Sequence, residues 1–323
     1  MKKINCILFL VNIIIGSIVI DYNQVMIVSA AISTKKGVTY GADNRSQSII
    51  CNDLASFNVS WYYNWGKQPS CQAGVQGVEY DPMVWGKANL PVGNIAPGNW
   101  IMGFNEPNFI GQADLSPSAA AALWPQIQQT GRKNVLAGLA DCGGVGGNCK
   151  YNTVQWAVDF LGNCTNCQVD AIAVHQYYCS ASDVMTKINR LYQATKKPIW
   201  LSEFACNGAS SYQQVIDFAK ELLPQLESST VVERYSWFIH WCQGCKSSDL
   251  LYSSLLYDNG TMTPFGVYYS SFGTNSSSGT TTTTSTTATT TTTTSTTGDN
   301  NGSKLSTYYI VIVLAVLLSL LLV

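Results

Sequence analysis

Short runs of β-branched and aromatic residues recur along the middle of the chain, each followed by turn-forming residues. Runs of this kind, bounded by glycine, proline or asparagine, are typical of buried β-strands. Eight of them are predicted as strands: 36–41, 59–65, 78–85, 100–105, 135–142, 171–178, 198–204 and 234–241.

Amphipathic segments between several of these runs have the periodicity of α-helices. Ser116 and Pro117 form a good N-cap and first-turn pair, and Asp183 is a candidate start for a later helix. The second and third connections contain several prolines and glycines and predict little regular helix. Helices are predicted at 44–57, 117–130, 153–161, 183–195 and 212–226.

Both ends of the chain have the patterns of processing signals. Two lysines precede an apolar run over 4–20, and small residues follow at 29–31, so a secretory signal peptide is predicted over 1–31. A retained membrane anchor is the alternative, although polar and small residues interrupt the run.

The C-terminal residues 309–323 are almost wholly apolar and fall short of the about 20 residues that a membrane span needs. Small residues at 300–303 precede them, so residues 304–323 resemble a GPI-attachment signal, with a single-span anchor as the alternative. Upstream, residues 280–297 are nearly all threonine, which can bury no core. A low-complexity stalk is predicted over 274–303.

The segment left to fold, residues 32–273, is about 240 residues long, close to the roughly 250 residues typical of a (β/α)8 barrel. Alternating strands and helices favour a parallel sheet, and at this length a closed barrel over an open doubly wound sheet. The expected fold is therefore α/β, a single (β/α)8 TIM barrel. We expect a monomer at the extracellular surface of the cell.

The formal net charge of −1 provides no basic surface for nucleic acid. Any membrane contact is expected through the lipid anchor or the C-terminal segment alone. Five sequons fit a secretory route, at Asn44, Asn58, Asn163, Asn259 and Asn275.

The chain has 11 cysteines, and only Cys6 lies in the predicted signal peptide. An even number in a secreted protein favours disulfides, whose pairing the sequence does not determine. The Cys164/Cys167 and Cys242/Cys245 pairs also have zinc-ligand spacing, although they lie far apart in sequence. The glycine-rich stretch between Cys142 and Cys149 lacks the ending of a phosphate-binding loop and is better interpreted as a disulfide-closed loop.

Two glutamates, Glu106 and Glu203, follow apolar runs at the ends of the fourth and seventh predicted strands. The chemistry of such barrels lies at the C-terminal ends of the strands, and glycosidic bond cleavage requires two carboxyl groups. For either glutamate alone, a structural carboxylate paired with a cation is an equal alternative. Together they are the predicted catalytic pair.

Polar and aromatic side chains at other strand ends are expected to bind the substrate, since sugar rings have apolar faces that stack on aromatic rings. Three of them have open alternatives: His175 could be structural or hold a carboxylate, Tyr177 could orient Glu203, and Trp237 could be core. The predicted binding residues are Asn105, Tyr63, Asn64, Trp65, Trp85, His175, Tyr177, Trp237 and Trp241.

Other kinds of catalytic site lack support. The sequence has no G-x-S-x-G motif, and its two histidines lack the carboxylate-rich surroundings of a metal site. No metal or cofactor is therefore expected.

The stretch Gly103-Phe104-Asn105-Glu106-Pro107-Asn108, with Leu201-Ser202-Glu203-Phe204 downstream, resembles glycoside hydrolase family 128, the Asl-like catalytic domain. The likeness extends over most of 36–241. It implies retaining endo-type cleavage of β-1,3-glucan, with Glu106 as acid/base and Glu203 as nucleophile. A glycanase for another cell-wall β-glycan and a non-catalytic glucan-binding adhesion protein are the alternatives.

Overall fold

A computed structural model of the chain describes residues 33–242 and 249–273. Nine strands lie in these ranges: β1 (Lys36–Thr39), β2 (Trp61–Tyr63), β3 (Glu79–Tyr80), β4 (Met83–Val84), β5 (Trp100–Asn105), β6 (Lys133–Leu139), β7 (Ala171–Gln176), β8 (Ile199–Phe204) and β9 (Val232–Trp237). The same ranges contain six α-helices, none of which lies between β2 and β5: α1 (Gln47–Ser56), α2 (Pro117–Gln128), α3 (Thr153–Asn163), α4 (Ala181–Thr195), α5 (Tyr212–Ser228) and α6 (Pro264–Ser271).

The nine strands form one sheet in the order β3-β2-β1-β9-β8-β7-β6-β5-β4. Every pair in it is parallel. The first and last of the described strands, β1 and β9, are therefore neighbours. The two ends of the strand order, β3 and β4, follow each other in the chain with only Asp81 and Pro82 between them. The chain has an α/β fold built on a parallel sheet, as predicted.

The single strand predicted over 78–85 is wrong in detail, because the structure divides it into β3 and β4. Pro82 at the break has no N–H to donate to a neighbouring strand. Its carbonyl instead accepts from Met102 of β5 at 2.9 Å, whereas the amide of Asp81 donates to Tyr62 of β2 at 3.0 Å.

The helix starts follow the expected capping chemistry, with one correction. Ser116 caps α2, its side chain accepting from the amide of Ala119 at 3.2 Å. Asp183 was expected to begin α4, but the helix starts earlier because the hydroxyl of Ser180 accepts from the amide of Asp183 at 3.3 Å. Asp183 thus lies in the first turn, where its charge favours the helix dipole.

The C-terminal helix α6 was not predicted, although Thr263 and Pro264 repeat the cap and first-turn pattern of α2. Its side chains Phe265 and Tyr269 pack on Trp237, with ring centroids 4.3 and 6.0 Å away. The buried ammonium of Lys36 donates to backbone carbonyls at the end of this helix, those of Tyr269 at 2.8 Å and Phe272 at 2.6 Å. The last helix is thereby joined to the first strand.

Alternate residues of the strands pack into two separate hydrophobic cores, as parallel strands covered by helices require. Tyr62 belongs to the larger core between sheet and helices. Its neighbours in β2 face the other way, into a smaller core of Trp61, Tyr63, Met83, Trp100, Met102, Val135, Ala171, Ala173 and Trp200.

An arginine lies against this smaller core. Arg234 of β9 pairs with Asp81 and, at 2.6 Å, with Glu79. Its guanidinium carbon lies 4.7 Å from the ring centroid of Trp200, and between 5 and 6 Å from those of Trp61 and Trp100. The aromatic rings and the two acids together neutralise and shield this half-buried charge.

Four disulfides join described residues: Cys51–Cys71, Cys142–Cys149, Cys164–Cys167 and Cys179–Cys206. Cys242 is also disulfide-bonded. The prediction of a disulfide-closed glycine-rich loop is confirmed, and Cys164 and Cys167 bind each other rather than zinc.

Several predictions concern residues that the structure does not describe. The signal peptide, the stalk, the anchor signal and the sequon at Asn275 all lie outside 33–242 and 249–273. Within those two ranges, no helix combines the length and apolar character that crossing a bilayer requires.

Candidate active site

The predicted catalytic residues lie at one edge of the sheet. Glu106 directly follows β5, and Glu203 lies in β8 opposite His175 of β7. Because all strands are parallel, their C-terminal ends meet at the same edge. Strand β8 has one extra residue relative to β7 just before this pair. Irregularities of this type re-aim a side chain, here that of Glu203.

Glu106 adopts a left-handed backbone conformation, with φ of +42°. For a residue with a Cβ this region is sparsely populated and strained, and such strain concentrates at functional sites. The surroundings maintain it through the backbone: the amide of Glu106 donates to the carbonyl of Gly138 at 2.8 Å, and its carbonyl accepts from Phe109 at 3.0 Å.

His175 lies between the two glutamates. Its Nδ1 is 2.8 Å from Oε1 of Glu106, and its Nε2 is 3.4 Å from Oε1 of Glu203. The ring is almost completely buried. Burial on its own lowers the pKa of His175, but the charge of Glu203 and the hydrogen bond and charge of Glu106 outweigh it, so the pKa is raised above 6.5. Of the roles left open by the sequence, the geometry favours holding the carboxylates.

Glu203 is surrounded by hydrogen-bond donors. Its Oε1 accepts from the hydroxyl of Tyr63 at 3.1 Å and from the indole of Trp65 at 2.8 Å. Its Oε2 accepts from the hydroxyl of Tyr177. Burial, with the charge of Glu203, raises the pKa of both tyrosines well above 10. Both hydroxyls therefore remain protonated donors, and the alternative role proposed for Tyr177, orienting Glu203, agrees with its contact.

Two cavities adjoin each other at Glu106 and Tyr177, which line both of them. One has a volume of about 550 Å³ and is lined also by Phe109, Ala140, Asp141, His175, Tyr178, Cys179 and Asn207. The other, of about 510 Å³, is lined also by Gly41, Ala42, Trp65, Trp85, Asn105, Gln112, Glu203, Phe238 and Ile239. Of the predicted binding residues, Asn105, Trp65 and Trp85 thus face the second cavity.

Asn105, next to Glu106, has one amide group that is hydrogen-bonded on its nitrogen but not on its oxygen. Its amide nitrogen donates to Oε1 of Gln112 at 3.0 Å. Its amide oxygen is buried and has no hydrogen-bond partner among the described residues. A buried acceptor of this kind is costly unless a ligand or water supplies a donor.

Four residues predicted to bind substrate line neither cavity. Tyr63 is fully buried, and its hydroxyl contacts Glu203 instead. Trp237 is fully buried, packs on Phe265 and donates its indole N–H to Ser253 at 2.7 Å, so it belongs to the core. Asn64 faces its own loop, its oxygen accepting from Tyr80 at 2.6 Å. Trp241 lines neither cavity, and its indole donates to Asp258 at 3.3 Å. A strand-end position alone could not separate these roles.

The predicted binding residues left out two that line the first cavity, Asp141 and Tyr178. Lys187 of α4 pairs with Asp141, and its ammonium lies 3.8 Å from the ring centroid of Tyr178. Asp141 and Tyr178 both lie at the C-terminal ends of predicted strands, 135–142 and 171–178, so the strand-end rule points to them as well. Phe109, Asn207, Gln112 and Phe238 lie in loops and had no such signal.

Among the described residues, Glu106, His175 and Glu203 form the group whose ligand-type atoms lie close enough together to hold a metal ion. One atom of each lies within 4.8 Å of the others. Several polar atoms of these three residues already form hydrogen bonds: Nδ1 of His175 bonds Glu106, and Oε1 of Glu203 accepts from Tyr63 and Trp65. The arrangement suits two carboxyl groups acting on an organic substrate better than a metal site.

Comparison with known proteins agrees with this geometry. Residues 37–269 match the family described as Glycosyl hydrolase catalytic core. Alkali-sensitive linkage protein 1 of Schizosaccharomyces pombe is 29% identical over 220 residues, which cover 65% of this chain and 39% of that protein. The chain thus spans about two fifths of the length of this curated relative.

Two solved structures are similar over nearly their whole length. A GH128 subgroup II endo-β-1,3-glucanase from Sorangium cellulosum is 31% identical, with a TM-score of 0.63, covering 73% of this chain and 98% of that one. A subgroup I endo-β-1,3-glucanase from Amycolatopsis mediterranei, in complex with laminaritriose, is 27% identical, with a TM-score of 0.61, covering 74% and 99%. The chain belongs to the glycosyl hydrolase catalytic core family and, within it, to glycoside hydrolase family 128.

Proposed function

We propose that this protein is a retaining endo-β-1,3-glucanase in which Glu106 is the acid/base and Glu203 the nucleophile. The observation that carries the proposal is the approach of the two carboxyl groups, which have oxygens within 4.8 Å of each other. Retaining glycosidases hold their carboxyl groups about 5–5.5 Å apart, whereas inverting enzymes need about 6.5–9.5 Å to admit a water.

In the first step Glu106 donates a proton to the glycosidic oxygen while Glu203 attacks the anomeric carbon and forms a covalent glycosyl-enzyme. The three donors around Glu203 suit a carboxylate that is charged before attack. These hydrogen bonds also hold the carboxylate of Glu203 in one orientation, which favours a near-attack geometry.

In the second step Glu106 takes a proton from water, and the resulting hydroxide releases the sugar from Glu203 with overall retention. His175, bonded to Glu106 and close to Glu203, keeps the acid/base at a constant position while its charge changes. Asn105 provides a buried amide oxygen beside Glu106 that a sugar hydroxyl can satisfy.

The substrate is the polymer β-1,3-glucan, cleaved at internal bonds. Internal cleavage needs sugar-binding space on both sides of the catalytic pair, and cavities of about 550 and 510 Å³ share Glu106 and Tyr177. The two solved structures described above are endo-β-1,3-glucanases, and the second of them is a complex with laminaritriose.

The architecture we propose is the complete (β/α)8 barrel. The hydrogen bonds at the β3–β4 break support it, since Asp81 bonds to β2 and Pro82 to β5, which joins the two ends of the strand order. The smaller core, with side chains from β2, β4, β5, β6, β7 and β8, supports it too, because barrel interiors are filled in this way.

We further propose a monomeric enzyme that is secreted and held at the cell surface. A signal peptide over 1–31, a catalytic domain over 32–273, a threonine-rich stalk over 274–303 and a GPI signal over 304–323 give this organisation. The disulfides of the catalytic domain are compatible with an oxidising compartment.

A panel of soluble and insoluble β-glucans tests the proposal, with reducing ends measured for the wild type and for Glu203→Gln. We expect hydrolysis of laminarin and curdlan, its loss in Glu203→Gln with the fold intact, and the β-anomer first in an NMR time course. Hydrolysis confined to another β-glycan, or binding without cleavage, would instead support the two alternative functions. Early α-anomer would contradict retention.

A further inference from the structure

Gly138 contacts both residues of the hydrogen bond between Glu106, the proposed acid/base, and His175. A Cβ built on Gly138 would lie 2.3 Å from Nε2 of His175, 2.8 Å from its Cε1 and 3.2 Å from its Cδ2. The imidazole therefore rests directly on the backbone of β6, in space that any side chain at this position would occupy.

The carbonyl of Gly138 has a second contact, accepting from the amide of Glu106 at 2.8 Å. This bond secures the residue whose φ is +42°. At the same place β6 has one extra residue relative to β7, since the register shifts between Leu136 and Gly138. After the irregularity Gly138 pairs in register with Ala173, and its bare face lies against the ring of His175, two residues further along β7.

We propose that Gly138 is a positioning residue for catalysis, which sets where His175 lies between Glu106 and Glu203. This inference rests on the catalytic roles proposed above. A side chain at 138 would push the ring away from both carboxylates, because His175 is almost completely buried and has little other space. The effect on the reaction acts through His175 and Glu106, not through substrate contact.

The first test compares Gly138→Ala with Gly162→Ala, a control in α3 whose added Cβ meets nothing within 4 Å. For Gly138→Ala we expect kcat/KM on laminarin to fall roughly 10- to 100-fold. We also expect the NMR-measured pKa of His175 to fall, since the ring leaves the carboxylates that raise it. An unchanged His175 titration would overturn the proposal.

The second test needs no substrate, so it remains decisive even if the proposed glucanase activity is not found. Asparagine at 175 lacks the ring atoms that the new Cβ would meet. We therefore expect Gly138→Ala to lower the thermal midpoint much less in a His175→Asn background than in the wild type. An equal drop in both backgrounds, or failure to fold in both, would show that Gly138 serves something other than His175.

Discussion

Nδ1 of His175 lies 2.8 Å from Oε1 of Glu106, although the two residues come from β7 and from the end of β5, which β6 separates in the sheet. This contact brings a buried, ionisable ring into the field of both glutamates. It also distinguishes His175 from the second histidine of the chain, His240, which stacks on Tyr40 with ring centroids 3.7 Å apart.

We predict that the two histidines titrate on opposite sides of pH 6.5. The carboxylates of Glu203 and Glu106 raise the pKa of His175 despite its burial. Burial lowers the pKa of His240, and the carboxylate of Asp43, 3.7 Å from its Nε2, only partly compensates. NMR titration of a protein without a histidine tag checks this, and His175→Gln and His240→Gln assign the two curves.

The raised pKa of His175 has a consequence for stability. Its folded-state pKa exceeds the unfolded value, so its contribution is fully present below pH 6.5 and is lost as pH rises through the folded-state pKa. Unfolding by urea across this range, compared with His175→Gln, measures the contribution. Identical pH dependence in the two proteins would contradict the prediction.

Removing the hydroxyl of Tyr177 should slow the chemical step. Tyr177→Phe deletes a donor to Oε2 of Glu203, and a hydrogen bond to a charged group is worth about 1.5–3 kcal/mol. We expect kcat to fall roughly 10- to 100-fold with a smaller change in KM. Tyr192→Phe in α4, away from the cavities, is the matched control. Wild-type kcat in Tyr177→Phe would exclude a role in orienting Glu203.

Arg234 should be essential to stability rather than to catalysis. Arg234→Met leaves Asp81, which is fully buried, without its cationic partner and should reduce the free energy of unfolding by about 3–5 kcal/mol. The exposed Arg190 provides the control, and Arg190→Met should change stability by less than about 0.5 kcal/mol. If Asp81→Asn does not lessen the effect of Arg234→Met, the ion pair is not its cause.

Lys36 should make the stability rise at alkaline pH. Burial lowers its pKa to about 7, although the charge of Glu227 opposes this, while the unfolded chain keeps the ordinary value of 10.5. Its contribution is therefore complete above pH 10.5 and is lost as pH falls to about 7. The unfolding free energy of the wild type minus that of Lys36→Met should rise as the pH increases over this range. A difference that is constant with pH would contradict it.

Local sequence patterns were enough to predict most of the secondary structure and to single out two glutamates that the structure brings together. Periodicity located all the sheet segments and five of the six described helices, because apolar spacing and caps such as Ser116 act over a few residues. Glu106 and Glu203 were identifiable for the same reason, since each follows an apolar run that could only be a strand end. The closed loop between Cys142 and Cys149 was equally local.

Contacts between distant parts of the chain settle the remaining features, and these appear only in the folded molecule. Trp237 and Trp65 both lie at strand ends, yet one packs in the core against α6 and the other donates to Glu203. The pairing of Cys179 with Cys206 and the place of His175 against Gly138 also join separate elements. Side-chain type and spacing leave such choices open, because packing and register, which no short window of sequence contains, determine which neighbours a residue meets.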